Sequence, residues 1–261
     1  MQARVVALAL TPVKGLRVVQ REEVRLDAAG VRDDRRFYLV DERDRMVNAK
    51  HFGQLNAVVA DYDDAARRLT LTFPDGGTAA GEVRHGAAIQ TRFFSRPRPA
   101  HLVQGPWAQA LSEHVGQPLR LVEPVGEVGA VDRGRRAAAS LVSRGSLERL
   151  AQEAGPGAVD ARRFRMLIEL DGLDPHAEDD WVGQRVKIGA ATVRIHGHVG
   201  RCLVTSRDPE SGVVDLPTLD LLGGYRREAP TSEPLAFGIY GEVLDPGVVR
   251  VGDEALPFPE R

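Results

Sequence analysis

Strand-length apolar or alternating runs that stop at turn residues recur along almost the whole chain, and no other feature narrows its fold as far. Val5 to Leu10 is mostly apolar and ends at Thr11 and Pro12, the pattern of a buried first strand. "EEVRLD" and "RRFYLVDERDRMV" continue in strand-length runs, and "AVVADYDDAARRLTLTF" reads as two strands around a polar turn. "PDGGTAAG" is a turn cluster, and the two prolines of "SRPRPAHL" disfavour regular pairing and suit a linker. A boundary is therefore expected near Ser95, with one unit over 1–95 and a second over 96–261.

Beyond that boundary Trp107, Leu111 and Val115 recur at four-residue spacing before Gly116, which predicts a short amphipathic helix with a glycine stop. Ser146 is the expected cap of a second helix whose Leu147, Leu150, Ala151 and Ala154 share a face, ended by Gly155 and Pro156. "PLRLVE", "RFRMLIEL", "QRVKIGAATVRIHGHV" and "FGIYGEVLDPGVVRVGD" supply more strands, joined at Gly189-Ala190 and Asp245-Pro246-Gly247. "DLPTLDLLGG" predicts a last helix with Pro217 near its first turn and Gly223 and Gly224 at its end. Many short strands with few helices point to a β-rich α+β fold, most simply a barrel.

At 43% hydrophobic and 28% charged, the chain is an ordinary soluble globular protein, and 5% aromatic content leaves an aliphatic core. A formal charge of −2 offers no electrostatic argument for nucleic acid. The apolar run in "MQARVVALALTPVKG" is too short for a membrane span and lacks a cleavage pattern, so a cytoplasmic protein without membrane association is expected. The only cysteine, Cys202, excludes an internal disulfide and a four-thiolate iron–sulfur cluster from this chain.

Cys202 stands between Arg201 and a run of small and β-branched residues, with Arg207 nearby. Positive charge beside a thiol favours the thiolate, which is both a nucleophile and a soft metal ligand. Strand alternation would put His196, His198 and Cys202 on one face, but paired zinc-ligand spacings and a second cysteine are missing, so the histidines are expected to face solvent at a barrel mouth. "HAEDDW" is expected as a solvated acidic loop anchored by Trp181. Phosphate-loop, dinucleotide-binding and serine-elbow motifs are absent from the sequence.

In order, "LTPVKGL", "GVRDDRRFYLVDERDRMVNAKHFGQL", "SLERL", "RRFRMLIELDG", "HAEDDWVGQRVKIG", "GRCLVTSRDPESG", "LLGGYR" and "FGIYGEV" make the chain resemble the MOSC family, the molybdenum cofactor sulfurase C-terminal domain proteins. The likeness is to the two-domain form found in the mitochondrial amidoxime-reducing component and its bacterial relatives. It implies an N-terminal β-barrel-like domain followed by a MOSC-type β-barrel with flanking helices. The resemblance makes Cys202 the molybdenum ligand of a pyranopterin cofactor, places Lys14 and Arg35 at the cofactor phosphate and Arg165 near the pterin, and Arg201 is expected among the cofactor-binding residues. A pyridoxal phosphate association also attaches to the family.

The implied activity is a molybdenum-dependent oxidoreductase that reduces small N-hydroxylated or N-oxide substrates. With no further cysteines, electrons are expected from a separate flavin or iron–sulfur protein. Gly15 stands where many relatives carry serine, and Met166 and Leu167 where they carry proline and asparagine, which removes polar contacts to cofactor or substrate. Persulfide transfer through Cys202 in cofactor maturation is the alternative enzyme class, and a non-catalytic module binding the cofactor or another small anion is a third reading.

Overall fold

The computed structural model describes residues 2–259, and its organising element is a closed barrel. In neighbour order the strands are Ile168–Asp171, Ala139–Ser143, Ala236–Asp245, Ala191–Gly200, Arg185–Ile188, Glu254–Phe258 and Ala3–Leu10. The ring closes because Ala3–Leu10 also pairs with Ile168–Asp171, Leu8 opposite Ile168, so that no edge of this sheet is left open there. All pairings are antiparallel except Ala139–Ser143 with Ile168–Asp171. Parallel neighbours need a crossover, and the helix Arg144–Ala154 supplies it. The interior is aliphatic, as the low aromatic content requires: Val5, Leu8, Leu170, Ile188, Val193 and Ile239 fill it. The chain's first strand is thus a stave of the barrel otherwise built from its C-terminal half.

Val19–Arg21 extends the barrel sheet beside the first strand and Glu23–Leu26 pairs with Gly247–Arg250, while the segment from Tyr38 to Pro124 forms a five-stranded sheet, ordered Met46–Val47, Tyr38–Val40, Arg120–Pro124, Arg96–Gln104 and Arg84–Phe93, and a meander of Val59–Asp63, Arg68–Thr72 and Thr78–Glu82. Leu16, Phe37, Leu55, Leu71 and Leu111 pack around Trp107, whose indole N–H is satisfied by the Leu69 carbonyl at 3.1 Å. Among the described residues no helix is long and apolar enough to cross a membrane.

Several local expectations change. "SRPRPAHL" is not a linker but most of the strand Arg96–Gln104, hairpinned to Arg84–Phe93, so the division expected near Ser95 falls at a hairpin tip. Pro97 and Pro99 are tolerated because residues two apart turn their missing N–H groups to one edge, and the next strand pairs only from Ala100 onward. The cap of Arg144–Ala154 is Ser143, whose hydroxyl accepts from the Ser146 N–H. "HAEDDW" is no solvated loop. Glu178 is fully buried and accepts from the Ser143 N–H at 3.0 Å and from the Ser143 and Ser146 hydroxyls at 2.7 Å each. Asp179 pairs with Arg226 at 2.6 Å. The helix Thr218–Tyr225 runs through Gly223 and Gly224 rather than stopping at them.

Candidate functional site

A cavity of about 360 Å³ is lined by Lys14 and Arg35 from the N-terminal half and by Arg165, Arg201 and Cys202 from the C-terminal half. The fold therefore brings together the five residues singled out in the sequence. A larger cavity, about 770 Å³, lies between the strand Ala3–Leu10 and the helix Arg144–Ala154, shares only Met166 with the first, and contains no thiol.

Cys202 follows the strand Ala191–Gly200 and caps the turn Leu203–Ser206 with extended backbone. Its carbonyl accepts from both the N–H and the hydroxyl of Thr205 at 3.0 Å, which fixes the main chain while the side chain stays exposed. The neighbouring histidines are engaged elsewhere. His198 is buried rather than solvent-facing, with Nδ1 3.1 Å from the Ser232 hydroxyl, and His196 faces Glu242 at 3.1 Å.

Lys14 is positioned just past the first strand by its N–H, which donates to the Phe37 carbonyl at 2.8 Å. Its ammonium donates to Asp132 at 2.5 Å and lies 5.5 and 5.8 Å from the ring centroids of Phe93 and Phe94. Burial lowers its pKa, Asp132 opposes that shift, and Arg35 and Arg165 add to it. Arg35 does not open a strand; it sits in a turn with left-handed backbone, its N–H donating to the Thr11 carbonyl at 2.6 Å. The guanidinium is held between the buried Asp34 carboxylate and the Arg165 carbonyl, the latter at 2.7 Å.

Arg165 is likewise not in a strand. It caps the turn Ala161–Phe164, again left-handed, and donates to the Leu16 carbonyl at 2.6 Å. Burial, then repulsion from Arg35, pulls its pKa down to about 9, so it stays charged at neutral pH with its hydration largely lost. Two non-glycine residues with positive φ at one cavity cost roughly 1–3 kcal/mol each, a pattern typical of built sites.

Arg201 lines the same cavity as Cys202. Its guanidinium donates to the carbonyls of Phe237 at 2.9 Å and Phe164 at 3.0 Å and to the Met166 sulfur at 3.0 Å, and it stacks over the Phe164 ring. It braces the wall on which Cys202 stands. Met166 and Leu167 are buried in that wall, and the Leu167 N–H donates to the Ser140 hydroxyl at 3.1 Å. Gly15 has φ +98, and a Cβ there would come within 3.0 Å of the Asn48 backbone, so this turn specifies glycine.

Two residues at the site were not singled out in the sequence. Asp34 accepts from the Thr11 N–H at 3.1 Å and fixes Arg35; its only signal was adjacency to that arginine. Asp132 lies in a glycine-containing segment with no motif of its own.

The MOSC domain family matches residues 126–255, and the MOSC N-terminal beta barrel domain family matches residues 2–106. Mitochondrial amidoxime-reducing component 1 of Xenopus laevis is 26% identical over 279 residues, covering 94% of this chain and 79% of that protein. The human protein of the same name is 26% identical over 281 residues, covering 95% and 81%. Human mitochondrial amidoxime reducing component 2 is 38% identical over 96 residues, covering 34% and 28%. With its closed barrel, its N-terminal β domain and both family matches, the chain belongs to the MOSC domain proteins in their two-domain form.

Proposed function

We propose that this protein binds a molybdenum cofactor and reduces small N-hydroxylated or N-oxide substrates with electrons from a separate flavin or iron–sulfur donor. One observation carries the reading: an exposed thiol opens into a cavity whose buried and partly buried cations come from both halves of the chain. The donor set fits the group. Cys202 offers a soft sulfur to the metal, and Lys14, Arg35 and Arg165 offer charge-assisted hydrogen bonds to a phosphate. When bound, the cofactor supplies a two-electron redox centre suited to oxygen-atom transfer. Arg201 holds the wall behind Cys202 by tying the Phe164 and Phe237 carbonyls together. The apolar Met166 and Leu167 narrow the polar contacts available to substrate beside that wall. Overall, the N–O bond of the substrate is broken, two electrons and two protons are consumed, and amine and water leave.

Similarity to proteins named as amidoxime-reducing components supports this class of substrate. A reducing compartment such as the cytoplasm suits a chain whose single thiol must stay free. The test is reduction of a simple hydroxylamine by protein from a cofactor-producing host. Turnover is expected with a reduced dye and none with NADH alone. Efficient turnover with NADH and no added protein would contradict the separate donor. Cyanide-labile sulfur on Cys202 without molybdenum would replace the reading with persulfide transfer, and cofactor without turnover would reduce it to a binding module.

A further inference from the structure

We propose that Asp132 is a built-in counter-ion: it occupies the anion subsite formed by Lys14, Arg35 and Arg165, and yields it to the phosphate group of an incoming ligand. The ligand's identity rests on the cofactor reading above; the anion chemistry does not.

Asp132 reaches Lys14 at 2.5 Å across 118 residues of sequence, and it lies close enough to Arg165 and Arg98 to oppose, in part, the lowering of their pKa values by burial. The two partners differ in exposure. The Lys14 side chain is 11% exposed and the Asp132 side chain 50%, so the cation is fixed inside and the carboxylate enters from solvent. Asp34 is the opposite kind of carboxylate. It is buried and held by the Thr11 N–H and by Arg35, which makes it a permanent part of the cluster.

The backbone on either side of Asp132 is anchored. Gly129 packs so tightly on the Asp34 and Arg35 carbonyls that a Cβ would meet them at 2.8 and 2.9 Å, and the Ala130 N–H donates to the Arg35 carbonyl at 2.6 Å. On the far side Arg133 pairs with Glu233 and stacks over Tyr240 at 4.7 Å. The carboxylate can therefore leave Lys14 by rotation about its own side-chain bonds, with the chain still in place.

Charge decides the direction. Of the charged groups lining the cavity, Arg133 and Arg163 are paired with Glu233 and Asp215, Arg201 is bonded to the Phe164 and Phe237 carbonyls and Lys50 is exposed, which leaves an inner cluster of Lys14, Arg35 and Arg165 against Asp34 and Asp132. A phosphate dianion placed beside both carboxylates would leave the cluster net negative, whereas with Asp132 turned out to solvent it is neutral. Burying unbalanced charge is costly, so the entering anion and Asp132 compete for one place.

The experiment is calorimetric titration of inorganic phosphate, at fixed ionic strength, into protein from a host that makes no cofactor. Wild type, Asp132→Asn and the double variant Asp132→Asn with Lys14→Ala are compared, each checked for folding by thermal melting. Asp132→Asn should bind phosphate at least ten-fold tighter than wild type, and loss of Lys14 should remove the gain. Equal or weaker binding by Asp132→Asn, a gain that survives without Lys14, or no phosphate binding by either form would overturn the proposal. Molybdenum-free protein from a cofactor-producing host would instead count against the cofactor reading, and leaves this titration unaffected.

Discussion

Arg35 and Arg165 tie the two halves of the chain together: the Arg35 guanidinium donates to the Arg165 carbonyl at 2.7 Å, and the Arg165 guanidinium donates to the Leu16 carbonyl at 2.6 Å, in the N-terminal half of the chain. Each arginine spends part of its fork on backbone and presents the rest of its charge to the cavity. Arg35→Ala and Arg165→Ala should each lower retention of bound cofactor by tens of fold, because each removes a charge-assisted bond worth roughly 1.5–3 kcal/mol and frees a segment. Arg68→Ala, at an exposed position, is the control and should retain cofactor like wild type. Pterin released after identical purification measures the difference.

Gly15→Ser adds a hydroxyl at the cavity, yet it should destabilise this chain. The backbone at φ +98 and the 3.0 Å approach to Asn48 put the cost at about 1–3 kcal/mol. A denaturant melt should show an earlier midpoint with an unchanged slope.

Removing the Glu178 carboxylate should be more damaging than its place in an acidic run implies. Glu178→Ala would leave the Ser143 N–H and two buried hydroxyls short of an acceptor, at a cost of about 2–4 kcal/mol. Thermal melting reads this directly, and an effect below about 0.5 kcal/mol would place the residue with ordinary surface substitutions.

His176 gives the protein an acid-sensitive term. Burial first, then the charges of Arg226 and Arg149, hold its pKa down to about 3, against an ordinary value of 6.5. Between those values the unfolded chain binds a proton that the folded ring does not, so this contribution to stability is present above about 6.5 and is lost as pH falls. His176→Asn tolerates the same left-handed backbone and should show a shallower fall in melting temperature from pH 6.5 down to about pH 4. An unchanged slope would assign the acid sensitivity to other groups.

Much of this fold is written in local patterns. Alternation marks the strands, and the four-residue spacing of Trp107, Leu111 and Val115 marks the helix that ends at Gly116. What local pattern does not carry is long-range closure. Nothing within Val5 to Leu10 says that this strand will pair with Ile168–Asp171 and complete a barrel from the other half of the chain. Proline reads as a breaker in "SRPRPAHL" until the neighbouring strand is known to stop at Ala100. Family resemblance singled out Cys202, Lys14, Arg35 and Arg165, and the fold gathers these four around one cavity. Asp132 was not legible in the sequence, because its meaning comes only from a contact with Lys14 across the cavity. Adjacency to Cys202 did not show where the Arg201 guanidinium would point; the Phe164 and Phe237 carbonyls fix it at the wall of the same cavity.

The most direct measurement is the molybdenum and pterin content of wild type and Cys202→Ala, purified side by side from one cofactor-producing host. Cys202 is exposed, so the substitution should leave the melting temperature within the small range of surface changes, about 0.5 kcal/mol. Wild type should carry close to equimolar molybdenum, and Cys202→Ala should carry almost none while remaining folded. Full molybdenum retention by Cys202→Ala would contradict the assignment of this thiol as the metal's ligand.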